Sequence, residues 1–425
     1  MNPILWGAVR KVLVGFLILG TALPAPGATI TVNNISGAHN VVGSCVLRDA
    51  ITAANTHAAV GGCGAGSGSG TNVIELPGGG VTISLTAADN TDFTNGSGYG
   101  ANGLPIVVTP IAIHGNGATI ERSTTVACNA DGAYQSGEFR LLYVAVGGSL
   151  EIDDADLANG CADTISPAGG AIAGGIEVVA DAATTVLFRH VRLSNNYAYL
   201  GGSAIAQDHG SLHIEYSTID NNRTGSFGLT ILVSDINNVN TCLSNLVEFR
   251  LFNSTVSDNA AGTLPTILGC GTARIEASTI TANLGSPALR WRAQTGSIGA
   301  IQIKNSIVAD NPVGNCDLPN DTTLSVSGTN LSSDTSCPNF TYTSTPGKLA
   351  PLADYGGPTP THSPLPGSLA IDAVTDCKRV DNATVVTDDQ RGTSRPLQGA
   401  PADPVRCDIG AVEYDGDLIF ANGFD

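Results

Sequence analysis

The chain has 425 residues with 37 acidic and 19 basic side chains, which gives a formal net charge of −18 at pH 7. A chain so poor in Lys and Arg repels nucleic acid and anionic lipid, and we exclude both as partners. Hydrophobic residues make up 42% of the chain and 52 residues are Gly. This composition excludes wholesale disorder and predicts many short strands joined by tight turns.

The first residues predict an export signal. Arg10 and Lys11 precede a short apolar run at residues 12–23, and small residues follow as far as Ala28. The run is too short to cross a bilayer as a helix, so we expect residues 1–28 to be cleaved before Thr29 as a signal peptide. The mature chain is then expected outside a bacterial cell, secreted or at the outer surface, with no integral membrane segment.

Residues 29–71 are predicted to form an N-terminal cap with one helix. Residues 47–57 place Leu47, Ala50, Ile51 and Ala54 on one helical face. The stretch from 61 to 70 is rich in Gly and Ser, which predicts a flexible loop. An amphipathic helix here is suited to covering the open end of a repetitive core.

A repeat runs through the middle of the chain. Each copy has alternating apolar residues, then Ser or Asp, another apolar residue and a terminal Asn. The interval between terminal Asn residues ranges from 24 residues (Asn259 to Asn283) to 38 residues (Asn221 to Asn259). A unit of this length predicts a solenoid or a propeller, and the shortest interval leaves room for only about three short strands. One coil of a parallel β-helix fits better than a four-stranded propeller blade.

The sequence therefore predicts an all-β fold, a right-handed parallel β-helix over residues 72–345. Alternating Ile, Leu and Val would face the interior, where successive coils stack at roughly 4.8 Å. Asn at a corner tolerates the left-handed backbone conformation, and its amide can bond to the Asn of the next coil. We assign this structural role to the terminal Asn residues, which are Asn159, Asn195, Asn221, Asn259, Asn283 and Asn311.

After about residue 345 the alternation fades and Pro and Gly become frequent. We expect residues 346–416 to form an irregular C-terminal cap over the other open end of the solenoid, and residues 417–425 to form a short tail.

The Cys residues predict disulfides. All 10 follow the expected cleavage point, and no CxxC spacing points to zinc or thiol-redox chemistry. Pairing between sequential neighbours is the simplest arrangement, although the sequence leaves other connectivities open. The predicted pairs are Cys45/Cys63, Cys128/Cys161, Cys242/Cys270, Cys316/Cys337 and Cys377/Cys407.

Three motifs carry a family resemblance. Residues 44–55 resemble the CSLREA motif, with departures at Val46 and Asp49, and residues 349–373, 389–396 and 407–413 resemble the choice-of-anchor Q domain. Together with the repeats, the resemblance covers most of the mature chain. It implies an exported bacterial parallel β-helix of the pectin-lyase-like type, often attached to the cell envelope, and it implies no defined reaction.

The charged residues of these end motifs are given structural roles. We expect Arg48 and Asp49 to pair with backbone groups or with the cap. Asp389, Arg391 and Asp408 are predicted to form a buried ion-pair network, because Arg favours bidentate pairing with carboxylates.

The acidic residues of the repeat are the candidates for catalysis, since the common protease, hydrolase, nucleotide-binding and EF-hand motifs are missing. A lyase needs carboxylates that hold Ca²⁺ and a basic residue that removes a proton, whereas a hydrolase needs two carboxylates across the glycosidic bond. One group of three Asp lies on a single coil, a second is predicted to stack in a row, and two Arg lie nearby. These are, in that order, Asp153, Asp154 and Asp156; Asp220, Asp258 and Asp310; and Arg223 and Arg250.

Three functions stay open at this point. The first is noncatalytic extracellular binding or adhesion by a monomer, with a polysaccharide or cell-surface glycan as ligand, because long solenoids present extended faces. The second is a polysaccharide lyase or glycoside hydrolase, and the third is a structural surface spacer. No cofactor is expected apart from the Ca²⁺ of a lyase. An enzyme should show a groove with convergent carboxylates and a basic residue, a glycan binder exposed aromatic residues, and a spacer neither.

Overall fold

A computed structural model describes residues 27–91, 100–163, 176–178, 185–207, 210–233, 247–292, 300–319, 323–397 and 405–416. These residues form one helix, α1 (Leu47–Thr56), and 26 strands. In chain order the strands are β1 (Thr29–Thr31), β2 (Asn72–Glu75), β3 (Thr82–Leu85), β4 (Asn90–Thr91), β5 (Ala101–Asn102), β6 (Pro110–Arg122), β7 (Leu142–Val144), β8 (Ser149–Ala158), β9 (Cys161–Ala162), β10 (Ile176–Val178), β11 (Thr185–Ser194), β12 (Tyr197–Gln207), β13 (Gly210–Glu215), β14 (Thr218–Asp220), β15 (Arg223–Val233), β16 (Val247–Phe252), β17 (Thr255–Ser257), β18 (Ile267–Cys270), β19 (Thr272–Glu276), β20 (Thr279–Thr281), β21 (Leu289–Arg292), β22 (Ile301–Lys304), β23 (Ile307–Ala309), β24 (Cys316–Asp317), β25 (Leu324–Ser327) and β26 (Leu331–Ser332).

Three parallel sheets run along the molecule. Sheet 1 stacks β1, β2, β6, β8, β11, β13, β16, β19, β22 and β25. Sheet 2 stacks β3, the second halves of β6, β8 and β11, and then β14, β17, β20, β23 and β26. Sheet 3 contains β7, β10, β12, β15, β18, β21 and β24. The coils in the middle of the chain contribute one strand to each sheet, so the predicted all-β parallel β-helix is confirmed.

The core is a continuous stack of apolar side chains. In sheet 1 one inward position is held on successive coils by Ile113, Ile152, Phe188, Ile214 and Leu251, all at 0% exposure. Each such side chain contributes roughly 1.5–3 kcal/mol by leaving water. Burial of every second residue explains why the sequence alternates and why the register cannot slip by one residue.

The corner between sheets 1 and 2 is a sharp turn at one left-handed residue. Asp154, His190 and Tyr216 have φ of 55°, 54° and 52°, and the equivalent residues of later coils follow the same geometry. Ser side chains one residue later form a ladder, in which the Ser254 hydroxyl accepts the N–H of Ser217 at 3.1 Å. The next Ser residues continue it, so the buried N–H groups at this corner are satisfied.

The corner between sheets 2 and 3 uses two residue positions, and here the sequence prediction needs correction. Asn159, Asn195 and Asn221 have φ of 64°, 56° and 54° and occupy the left-handed corner position, as predicted. Asn259, Asn283 and Asn311 instead occupy the position one residue later, which is buried. The corner itself is formed there by Asp258, Ala282 and Asp310.

The buried position carries a ladder of amides. Its members are Asn196, Asn222, Asn259, Asn283, Asn311 and Asn315, and each amide bonds to the next at 2.9–3.2 Å. At Asn195-Asn196 and Asn221-Asn222 the prediction chose the first Asn, whereas the second Asn is the one equivalent to Asn259. Only burial distinguishes the corner Asn from the ladder Asn.

The N-terminal region contains the predicted helix. Helix α1 ends one residue earlier than expected, and its buried face packs against the end of the core. Arg48 donates to the carbonyl of Ala87 at 2.5 Å, and the Asp49 carboxylate accepts the N–H of Asn40 at 2.9 Å. No helix within the described ranges is long and apolar enough to cross a membrane.

The predicted signal peptide falls mainly on residues 1–26, outside the described residues. The Ala28 N–H donates to the Asn72 side chain at 3.1 Å, and the Ala28 carbonyl accepts the N–H of Val73 at 2.8 Å. Cleavage before Thr29 would remove both hydrogen bonds.

The C-terminal region is irregular, as predicted, but it lies beside the coils instead of over their open end. Residues 346–397 and 405–416, called the outer layer below, lie along the outward face of sheet 2. Thr218 donates to the carbonyl of Pro360 at 2.6 Å, Thr255 donates to the Gln390 side chain at 2.7 Å, and Ile409 packs in one cluster with Ile307. Residues 333–345 are the ones near the end of the core, where Phe340 is buried.

The disulfides follow the order of the Cys residues. Four predicted pairs are present and confirmed, namely Cys45–Cys63, Cys128–Cys161, Cys316–Cys337 and Cys377–Cys407. Cys270 is also disulfide-bonded, and the fifth predicted pair involves Cys242, which lies outside the described residues.

A buried ionic network holds the outer layer together. Arg391 pairs with Asp389 at 2.8 Å, as predicted, whereas Arg395 pairs with Glu413 at 2.9 Å. Asp408 makes no pair with Arg391 and instead accepts the N–H of Asp372 at 2.6 Å. Burial, and then repulsion by Glu413, raise the pKa of Asp408 to about 8.

Candidate functional site

The outer layer covers only part of sheet 2. One outward column of this sheet runs from Thr119 through Asp156 and Arg192 to Thr218 and Thr255. The column is buried from Thr218 onward, whereas Thr119, Asp156 and Arg192 are half-buried, and the last two are charged. The surface before Thr218, called the open face below, is therefore a polar strip on an otherwise covered sheet.

An ion pair between Arg192 and Asp220 lies at the boundary between the open face and the part of sheet 2 that the outer layer covers. Arg192 donates to both oxygens of Asp220 at 2.8 and 2.7 Å, and the Asn221 amide donates to the same carboxylate at 2.8 Å. The Asp220 side chain has 0% exposure, and its hydrogen bond and charge raise the pKa of Arg192. Because its oxygens are bonded and buried, Asp220 is a poor candidate for a catalytic nucleophile or base.

Two further carboxyls lie on the open face. Asp156 accepts no hydrogen bond from a described residue, and burial raises its pKa, with repulsion from Asp220 adding to the effect. Glu121 is ordered by the Ser84 hydroxyl at 3.1 Å and the Asn159 amide at 2.9 Å. Glu121 lies diagonally from Asp156 on the neighbouring strand, because it is two residues after Thr119, the register partner of Asp156.

A groove of about 500 Å³ lies beside the open face, at the corner between sheets 2 and 3. The left-handed corner residues of three coils line it, and so do the residues that follow the Asn ladder. The ones that matter below are Arg122, Asn159, Asn195, Tyr197, Asn221 and Arg223.

Three polar groups in this groove have no internal partner. Tyr197 and Arg223 are paired residues of neighbouring strands β12 and β15, so their side chains start from adjacent coils, about 4.8 Å apart. Within the described residues, the Tyr197 hydroxyl, the Arg223 guanidinium and the exposed Asn195 amide make no side-chain hydrogen bond. The groove thus offers several hydrogen-bond donors to a ligand.

Arg122 is held by hydrogen bonds within the protein, and the Tyr197 hydroxyl carries no charge. Arg122 donates from Nε to the carbonyl of Asn159 at 2.8 Å and from Nη1 to that of Val126 at 2.6 Å. Burial, followed by the charge of Asp163, raises the pKa of Tyr197, so the hydroxyl stays neutral. The groove therefore combines a fixed cation, a neutral hydroxyl and one free guanidinium.

The predicted Asp row does not form. Asp220 faces outward on sheet 2, in register with Ser257, whereas Asp258 and Asp310 are exposed corner residues with φ of 56°. Asp310 also accepts the N–H of Gly347 at 2.9 Å. The prediction failed because Asp220 stands two places before its ladder Asn while the other two stand one place before theirs, and this shift sends the side chains in different directions.

The Asp group on one coil also diverges. Asp153 is on sheet 1 beside His190 at 3.2 Å, Asp154 is the corner residue, and Asp156 is on sheet 2. Arg250 lies on sheet 1 and is 3.7 Å from Glu248. Among the residues that the structure describes, no three His, Cys, Asp or Glu side chains are placed to hold a metal ion, so these aspartates do not fit the Ca²⁺ of a lyase.

Few of the aromatic residues of the repeats reach a ligand. Trp291 is buried and stacks on Phe249 with ring centroids 5.7 Å apart, and Tyr216 donates to Asp388 at 2.9 Å. Tyr197 and Tyr199, half-buried on β12, are the two whose described side chains lie near the groove or beside it.

The sequence named Arg223 but missed the groove. The missed signal is that Tyr197 and Arg223 each follow an Asn-Asn pair directly, which makes them equivalent positions of neighbouring coils. Arg122 and Glu121 had no such signal, because their coil lacks the terminal Asn.

Comparisons with known proteins give a match by structure and none by sequence. No protein-family model matches the sequence, and no curated protein matches it. The solved structure of pectate lyase Pel9A is similar with a TM-score of 0.42 and 14% sequence identity, over 91% of this chain and 96% of that one. Likeness at this level says nothing about activity, and the fold assignment stands on the strand pairing described above.

Proposed function

We propose that this protein is exported and binds glycan chains outside the cell or at its surface, without cleaving them, in the corner groove. The observation that carries the proposal is the adjacent Tyr197, Arg223 and Asn195, none with an internal side-chain partner. Small-ligand sites combine a concave surface with a few placed polar groups, and Tyr provides an apolar ring together with a hydroxyl. A sugar presents the complementary C–H face and hydroxyl groups.

The state of the acidic residues favours binding over cleavage. Asp220 is neutralised by Arg192, and Asp258 and Asp310 are separated from it at the corner. Across the groove itself no pair of free carboxylates faces a bound chain among the described lining residues. Hydrolysis of a glycosidic bond needs two carboxyls on either side of that bond.

The disulfides support export, because such bonds persist in oxidising compartments outside the cytosol. We also propose membership in the CSLREA and choice-of-anchor Q family. The structural roles of its motif residues support this proposal, since Cys45 is in a disulfide and Asp389 holds Arg391.

A binding assay tests the proposed function. The purified protein is titrated against a panel of neutral and acidic polysaccharides by calorimetry or affinity electrophoresis. We expect Tyr197→Ala to weaken binding at least tenfold. Tyr134→Ala, which removes a ring that is 50% exposed outside the groove, should leave it unchanged. If no polymer binds, or if both variants lose affinity equally, the proposal is wrong.

One observation favours a second candidate, a glycan hydrolase acting on the open face. Burial raises the pKa of Asp156, and Glu121 lies on the next strand on the same outward face, so this face carries the two carboxyls that hydrolysis of a glycosidic bond needs. Release of new chain ends from any polymer of the panel, abolished by Asp156→Asn, would establish this alternative. Absence of release leaves binding as the function.

A further inference from the structure

We infer that Arg223 makes the corner groove selective for glycans that carry an anionic group, either a carboxylate or a sulfate ester. This inference rests on the proposed glycan binding and names the class of ligand. It is drawn from the contrast between Arg223 and the other Arg side chains of the molecule.

Most described Arg side chains are already bonded within the protein. Arg192 pairs with Asp220 at 2.7 Å, Arg290 and Arg292 pair with Asp317 at 2.8 and 2.6 Å, and others bond to backbone carbonyls. Arg223 is exposed, lines a concave surface and has no ion pair or hydrogen bond from its side chain within the described residues. In a chain with 19 basic residues against 37 acidic ones, an unpaired guanidinium in a groove is a rare feature.

Several carboxylates near the groove already accept hydrogen bonds from other groups of the protein. Asp220 is held by Arg192, Glu121 accepts hydrogen bonds from Ser84 and Asn159, and the nearby Asp163 accepts two backbone N–H groups at 2.7 and 2.9 Å. More distant charges are screened beyond about 8 Å at physiological ionic strength. Asp131, Glu138 and Asp163 act on the Tyr197 side of the groove, whereas Arg122 and Arg223 both line the groove and attract an anion.

The geometry suits an acidic sugar rather than an isolated anion. Tyr197 and Arg223 start from paired positions on adjacent strands, so a ring stacked on Tyr197 can place a substituent at the guanidinium. The planar guanidinium binds carboxylate and sulfate oxygens through two parallel hydrogen bonds. The Asn195 amide lies at the same corner and can donate to a ring hydroxyl.

Matched polymers test the inference. Dextran is compared with carboxymethyl dextran and dextran sulfate, and hydroxyethyl cellulose with carboxymethyl cellulose and cellulose sulfate. We expect at least one anionic form to bind tenfold or more tightly than the neutral form of the same backbone. Preference for the carboxymethyl polymers identifies a carboxylate ligand, and preference for the sulfated polymers identifies a sulfate ester.

Two variants show whether Arg223 is responsible. Arg223→Gln should remove the preference for anionic polymers, because it lowers the affinity for the charged form at least tenfold more than the affinity for the neutral form of the same backbone. Arg406→Gln removes the same charge from an exposed position in the outer layer and should keep the preference. Equal affinity for charged and neutral forms, or equal effects of both variants, overturns the inference while glycan binding stands. Failure of every polymer to bind, together with the panel above, overturns both proposals.

Discussion

The two halves of sheet 2 share one backbone and differ in what lies over them. In the first half the outward column carries Thr119, Asp156 and Arg192, which water reaches, and in the second half it carries Thr218 and Thr255, which the outer layer covers. The parallel pairing continues through the boundary without a break. The difference therefore lies only in the side chains.

The covered half shows what a second layer requires of a sheet. Its Thr hydroxyls bond to the outer layer, where Gln390 donates to Thr218 at 2.8 Å and accepts from Thr255 at 2.7 Å. Gly410 comes so close to Thr279 that an added Cβ would lie 2.7 Å from its hydroxyl. Small hydroxyl side chains allow this approach, whereas the charged Asp156 and Arg192 of the open half stay half-buried and in contact with water.

The largest effect is expected from placing a charge under the outer layer. Thr255→Arg buries an unpaired guanidinium at a site with 0% exposure, and we expect at least about 3 kcal/mol of lost stability or detachment of the outer layer. Denaturant unfolding and limited proteolysis of residues 346–416 measure this. Thr119→Arg, at the same column position in the open half, should change stability by no more than about 0.5 kcal/mol. Equal effects would show that the outer layer does not distinguish the two halves.

The Asn ladder should be equally important in both halves, because it lies inside the coil. Asn196→Ala and Asn259→Ala each leave several buried groups without partners, and we expect each to lower the free energy of unfolding by about 3 kcal/mol. The exposed corner variant Asn195→Ala should cost only about 1 kcal/mol, through its left-handed backbone. A much smaller loss of unfolding free energy in one of the two ladder variants would show that the two halves also differ inside the coil.

The outer layer should weaken as pH rises. The pKa of Asp408 is raised to about 8 in the folded state. Its contribution to stability is complete below the unfolded pKa and is lost as pH rises from there through the folded pKa. We expect the unfolding free energy to fall between about pH 4 and pH 8, and Asp408→Asn to flatten this dependence. Asp381→Asn is a control, since the pKa of Asp381 is lowered to about 2 and lies below this range. An unchanged slope in Asp408→Asn would contradict the assignment.

The smallest effect is expected at Asp156 on the open face. Burial raises its pKa above the usual value, so its ionisation disfavours the folded state once pH exceeds that pKa. Asp156→Asn should therefore raise stability slightly at neutral pH, by less than the effect at Asp408. Glu121→Gln should lower stability instead, because two donors hold that carboxylate. Thermal unfolding at pH 4 and pH 7 compares the two variants.

Much of the fold could be read from local pattern. The apolar alternation and the recurring Asn predicted a parallel β-helix, and the spacing of Leu47, Ala50 and Ile51 predicted helix α1. The neighbouring order of the Cys residues predicted four disulfides that the structure contains. These features depend on residues close together in the chain, so the sequence is enough to identify them.

The candidate site was harder to predict. Asp220, Asp258 and Asp310 look equivalent in the sequence, yet one residue of shift places the first on a sheet and the others at a corner. Tyr197 and Arg223 are 26 residues apart along the chain and become neighbours only through the stacking of two coils. A pattern cannot supply the exact length of each coil, and that length decides which side chains meet.

By itself the sequence determined the repeating coil, its apolar interior and its turn residues, because each follows from alternation and from local backbone preference. Only the tertiary structure decided that the C-terminal region lies along sheet 2 and which coils it covers. The tertiary structure also decided which charged side chains find a partner within the described part of the protein. Those outcomes depend on contacts between residues more than 100 positions apart, such as Thr218 with Pro360, separated by 142 residues. Such contacts are selected by complementary shape and hydrogen bonding after the coils have stacked, and no local pattern encodes them.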